Sequence, residues 1–208
     1  MHGPGVSSHA LLDPKRQAIL RYARKAFVSE GYAATKIEPI AREAGVSTAT
    51  LYALFDGKAQ LFSAVIEDAA RDFARQMAGV GTIEGDARQQ LIGFAEAYAK
   101  FMSDPFVRAI FRLVMAERPR FQTVARRFFD QGQAAFGATL IGILKAQSEA
   151  GALRPINRPS RAAGHLMGMI EHPVFFVPLV TGDEITVLRT NTEIVEDAVD
   201  TFMARYGA

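Results

Sequence analysis

An all-α chain is predicted by three observations. Apolar residues recur at helical spacing almost throughout the 208 residues. No segment alternates as a strand does, residues 174–180 being the one ambiguous run. The segment TKIEPIAREAGVSTATLYALFDGK, residues 35–58, reads as two short helices about a glycine turn. About nine helices are expected, three of them in an N-terminal domain built around that helix-turn-helix.

The first helix opens with Asp13 as N-cap and Pro14 at the first helical position. It buries Ile19, Ala23, Ala26 and Phe27 on one face and closes at Gly31-Tyr32. Residues 1–12 ahead of it are expected to form a disordered arm, without the basic start and apolar stretch of a secretory signal. In the second helix Thr35 is the expected N-cap, Glu38 completes a capping box, and Ile37, Ile40 and Ala41 turn inward. Pro39 removes an N–H there and bends the first turn. Ala44-Gly45-Val46 makes the turn, with Gly45 free to take a positive φ. Ser47 then caps the third helix, and Leu51 and Phe55, four residues apart, supply its buried stripe. Thr48, Ala49, Thr50 and Tyr52 remain on or near its outer face, small or hydroxyl-bearing side chains that can approach a DNA groove closely.

Six further helices are expected. They cover about 58–77, ended by Gly79 and Gly81; 86–102; and 105–117, opened by Asp104-Pro105. The next run from Pro119 to about 150, from Pro159 to His172 where Pro173 limits the helix, and over 192–205. The domain reading is therefore an arm (1–12), a DNA-binding domain (13–60, motif about 36–55) and a helical body (61–208).

Bulk composition narrows the class. Apolar content of 49% and charge of 22% are ordinary for a soluble globular chain. No apolar run approaches the ~20 residues of a membrane span. The absence of cysteine excludes disulfides, thiol nucleophiles and thiolate metal sites, and fits a cytoplasmic location. Net charge is only +2, yet residues 1–60 hold eight Lys/Arg against five Asp/Glu, whereas residues 61–208 hold sixteen against seventeen. The positive excess lies with the helix-turn-helix, where phosphate attraction would use it.

The run IAREAGVSTATLYALFDGKAQLF resembles the N-terminal domain of TetR-family transcriptional regulators, at Thr35, Ile40-Ala41, Ala44-Gly45-Val46-Ser47, Leu51-Tyr52, Phe55, Lys58 and Leu61-Phe62. FRLVMAERPRF (111–121) and DAVDTFMARYG (197–207) are similar to the AefR-like subgroup. The resemblance implies that Ser47 to Tyr52 enter the major groove. Thr48 and Thr50 would bond base edges or phosphates, Ala49 would meet a thymine methyl, and Tyr52 and Lys58 would hold phosphates. Thr35 and Lys36 would touch the backbone on the other side. Leu54 departs from the pattern, standing where many members carry a polar side chain.

The body would bind an effector and dimerise. Phe94, Tyr98, Met102, Phe111, Met115, Phe128, Met167 and Phe175 could line an apolar cavity, although such residues are more often plain core. Ala162, Ala163, Leu166, Ile170, Ile194, Ala198 and Phe202, on the last two helices, are the candidate dimer interface. The leading expectation is a repressor that binds a palindromic operator as a homodimer and is released by a small, mostly apolar effector. No catalytic residue, cofactor or metal is expected. The competing readings are a helical-bundle enzyme with a carboxylate metal site (Glu96, Glu117, His165) and a ligand- or partner-binding module that has lost DNA contact.

Overall fold

The computed structural model describes residues 8–78, 83–182 and 189–208. It is helical: α1 (Ser8–Ala34), α2 (Ile37–Glu43), α3 (Thr48–Leu54), α4 (Gly57–Ala78), α5 (Ala87–Met102), α6 (Pro105–Glu117) and α7 (Gln122–Glu149). These are followed by α8 (Pro159–Glu171), a π-helical turn (His172–Phe176), α9 (Val177–Thr181) and α10 (Asn191–Tyr206). Because α8, the π-helical turn and α9 run on without a break, the described residues hold nine continuous helical stretches and no named strand. An antiparallel bridge joins Leu153 to Gly207.

The chain divides into two compact units, residues 1–70 with 113–128, and residues 71–112 with 129–208. The expected boundary after residue 60 falls inside α4. In the first unit Ile19, Leu20, Ala23, Phe27, Ile37, Ile40, Leu51, Phe55, Leu61 and Phe62 are all buried. Four rings close its core: Tyr32 stacks on Phe27, and Phe62 meets Phe27, Tyr32 and Phe121 with centroids 4.5–5.3 Å apart. Such pairs add about 0.5–1.5 kcal/mol beyond their area. Arg24 and Asp68, both largely buried, pair at 2.5 Å across α1 and α4. In the second unit α5, α8 and α10 pack on one another. Both α5 and α10 start with complete capping boxes, Asp86/Gln89 and Thr190/Glu193. The Thr190 backbone N–H and then its hydroxyl hold the Glu193 carboxyl below its ordinary range.

Four local expectations are corrected. Helix α1 starts by Ser8, so Pro14 lies inside it, Asp13 is no N-cap, and residues 8–12 of the expected arm are helical. Residues 1–7 of that arm, and the expected stop at Gly79 and Gly81, lie outside the described residues. Helix α7 starts at Gln122, with Pro119 in the turn before it. Pro173 does not stop the eighth helix. It lacks an N–H for the i−4 bond, and the backbone widens into the π-helical turn and continues, which also makes residues 174–180 helical. Arg108, 5% exposed, donates to the carbonyls of Met102 (3.3 Å) and Val174 (3.2 Å), tying the widened turn to the end of α5. The resulting stretch Pro159–Thr181 is long and apolar enough to cross a membrane by length and composition, contrary to expectation. Its residues Ala162, Ala163, Leu166 and Ile170 are buried, and α8 packs on α5 and α10.

Candidate nucleic-acid interface

The helix-turn-helix is built from short-range bonds. Gly45, at φ 67°, follows Ala44, the C-cap of α2. Its N–H donates to the Arg42 carbonyl (3.1 Å) and that of Val46 to Ala41 (3.0 Å), the paired closure of a Schellman turn. Ser47 then takes extended backbone and its Oγ accepts from the Thr50 N–H at 3.0 Å, capping α3. Leu51 and Phe55 are buried beneath. With those side chains turned inward, Ser47, Thr48, Ala49 and Ala53 are exposed and Tyr52 stands 50% exposed. Thr50 is half-buried, its hydroxyl 2.9 Å from Ser47 Oγ. Leu54 is half-buried too, so the position that departs from the family pattern is partly turned into the protein.

Thr35 behaves differently from expectation. It is 2% exposed, and its hydroxyl donates to the Gly31 carbonyl at 2.7 Å, sealing the break in α1 where Gly31 reaches φ 75°. Lys36, exposed and extended, occupies the N-cap of α2 without a side-chain cap bond, and the Thr35–Glu38 capping box does not form. A hydroxyl committed to Gly31 is not offered to a phosphate. Lys58 sits in the first turn of α4; its Nζ donates to the Ala33 carbonyl (3.0 Å) and lies 4.8 Å from the Tyr32 ring centroid.

In the second unit the expected effector residues separate into kinds. Phe94 and Tyr98 are fully buried and Met102 nearly so, with Phe94 stacked on Tyr98 and Phe136 set edge-on to it. Phe111 and Phe175 are half-buried with centroids 4.8 Å apart, and Met167 is half-buried. Met115, 50% exposed, and Phe128, buried, belong to the first unit. The composition pattern missed one feature, a hydrogen bond donated by the buried Tyr98 hydroxyl to the Glu171 carboxylate. Burial first, and then the carboxylate's charge, push the phenol's pKa up. A partner 73 residues away leaves no local signal in the sequence.

The dimer candidates are already covered within one chain. Ala162, Ala163, Leu166, Ile170, Ile194, Ala198 and Phe202 are each at most 4% exposed in one chain, because they fill the seam where α8, α10 and α5 meet. Side chains already buried within a subunit present no surface to a second one. Among the described residues no three His, Asp or Glu gather as metal ligands, and His165 Nδ1 instead lies 3.1 Å from the Tyr206 hydroxyl.

Comparison with known proteins bears on this geometry. Residues 19–65 match the model of bacterial regulatory proteins of the tetR family, and residues 89–208 match that of the AefR-like transcriptional repressor C-terminal domain. The chain belongs to the TetR family. Solved TetR-family structures have the same fold. One is a transcriptional regulator from Mesorhizobium loti, 24% identical, covering 95% of this chain and 98% of that one, TM-score 0.79. Another is the flavonoid-responsive regulator FrrA, 25% identical, covering 93% and 97%, TM-score 0.72. A third is FadR from Bacillus subtilis, solved with stearoyl-CoA, 15% identical, covering 89% and 96%, TM-score 0.67. No curated protein sequence matches the chain. This TetR-family protein is thus a DNA-binding transcription regulator whose second domain is of the ligand-binding class.

Proposed function

We propose that this TetR-family regulator is a repressor that holds a palindromic operator as a homodimer and releases it when a small, mostly apolar effector binds the second unit. The observation that carries the reading is the capped, outward-facing start of α3. Ser47, Thr48, Ala49, Thr50 and Tyr52 would meet the major groove, with Lys36 and Lys58 on the flanking phosphates. Thr35 would support them from within. In this role the protein would act in the cytoplasm, on the nucleoid.

A palindrome read by one helix per half-site needs a two-fold axis. The surface that suits it is the exposed side of Pro159–Thr181, where Phe176 (52% exposed) and Val180 (68%) stand clear of the subunit core and Gly164 and Gly168 allow close approach. For the effector, the flavonoid response of FrrA and the stearoyl-CoA bound by Bacillus subtilis FadR are both consistent with a largely apolar molecule. The half-buried Phe111, Phe175 and Met167 are its best candidate contacts here. A bound effector releases DNA to the extent that it prefers the form whose recognition helices no longer match the half-site spacing.

Selection from a randomised DNA pool should enrich a palindrome with half-sites about one helical turn apart. A pool that enriches nothing would sink the reading in favour of a module without DNA contact. In sedimentation, Phe176→Asp with Val180→Asp should turn a micromolar dimer into a monomer, whereas a wild-type chain already monomeric at that concentration would remove the homodimer.

A further inference from the structure

Outside the helix-turn-helix, the first unit brings a second cation to the Tyr32 ring that Lys58 also meets. The turn between α6 and α7 sets Arg120 over the Tyr32 ring, its Cζ 4.9 Å from the centroid, against 4.8 Å for Lys58 Nζ. The turn is held there by its neighbour, since Phe121 packs against both Tyr32 and Phe62 with centroids 5.0 and 4.5 Å away. Hydrogen bonds from the Arg120 and Phe121 N–H groups to the Glu117 carbonyl, both 3.0 Å, fix its backbone. Arg120 and the nearby Arg118 are exposed, and among the described residues no carboxylate pairs with Arg120, Arg118 or Lys58. Arg127, by contrast, meets Glu67 at 3.4 Å.

Two like charges gathered about one ring repel each other unless an anion lies beside them. The ring's electron-rich faces offset part of that repulsion. Lys58, in the first turn of α4, also bonds the carbonyl of the exposed Ala33, three residues before the exposed Lys36.

We propose that Arg120 is a further operator-binding residue, holding a DNA phosphate beside the one expected at Lys58, so that the phosphate clamp of this protein is completed from the α6–α7 turn. The guanidinium is suited to that role, because its fork can grip two phosphate oxygens while its plane rests on the tyrosine ring. Being a phosphate contact, it adds affinity without reading sequence. The inference rests on the helix-turn-helix being the DNA reader.

The test compares wild type, Arg120→Met, Arg120→Lys and Lys58→Met on the selected palindrome and on an unrelated duplex of the same length, over a series of KCl concentrations. Arg120→Met keeps the stem over Tyr32 and removes the charge. It should weaken both duplexes by a similar factor, about three- to tenfold at low salt, and lower the slope of log K against log salt by about one. Arg120→Lys should recover most of that slope. A purely structural role on Tyr32 would lower the melting temperature and leave the slope alone, so a wild-type slope in Arg120→Met overturns the proposal. If Lys58→Met lowers the slope while Arg120→Met does not, the clamp fails and the DNA-reading assignment stands. If the wild type selects no duplex, both fall.

Discussion

The two units teach different things about what a sequence can disclose. In the first, each expected helix-turn-helix element lies within a residue or two of its place, because the devices that set it are local. A glycine at positive φ, a serine cap three residues before its donor and an apolar pair four residues apart are all visible in a window of ten residues. In the second unit most helices were legible, apart from the continuation past Pro173, but the tasks of their faces were not. Ala162, Leu166, Ile194 and Phe202 form an apolar stripe of the kind either an interface or a core would require, and only the fold shows it to be core. A stripe records that a face is covered, not by what. Mutations that stress each unit separately can break or sharpen this contrast.

The largest effect is expected from Gly45→Val. A Cβ built at Gly45 meets nothing within 4 Å, so the penalty is backbone strain alone at φ 67°. For a β-branched residue that is about 3 kcal/mol, falling on the closing turn of α2. Thermal melts should show the loss, with Gly45→Ala intermediate. If Gly45→Val melts with the wild type, the turn is not the local device described here.

The second unit's counterpart is long-range. Tyr98→Phe removes the hydroxyl bonded to Glu171 and should cost about 1–2 kcal/mol, discounted because Glu171 is only half-buried and can rehydrate. The same bond carries a pH signature. Burial and the Glu171 carboxylate raise the folded-state pKa of Tyr98 above the ordinary tyrosine value of about 10. Above that pH the unfolded chain releases this proton while the folded chain keeps it. The bond's contribution is therefore complete below about pH 10 and declines as pH rises beyond it. Urea melts at pH 8 and pH 11 should show a larger loss for wild type than for Tyr98→Phe, and parallel losses would contradict a phenol held protonated by burial and Glu171. No pattern around Tyr98 announces Glu171. Nor does anything around Pro173 announce that the chain continues as a π-helical turn tied by Arg108, because each depends on a residue at least sixty positions away.

The smallest effect is the most informative about the site. Ser47→Ala deletes the cap of α3, worth about 1 kcal/mol, through the bond from the Thr50 N–H. It also frees the Thr50 hydroxyl, which lies 2.9 Å from Ser47 Oγ. If Ser47 served the fold alone, operator affinity would fall only as far as the helix frays, and Ser47→Asp, which also caps, would restore it. If Ser47 also faces a phosphate, as its exposure at the start of the recognition helix allows, Ser47→Asp should restore stability while weakening DNA binding further through charge repulsion. A melt and a binding isotherm for the two variants therefore separate cap from contact. Thr35 is the instructive opposite, having looked like both a cap and a contact in the sequence while its hydroxyl is turned inward onto Gly31. Whether Ser47 joins it as a structural residue is decided by whether stability and affinity move together or apart in Ser47→Asp.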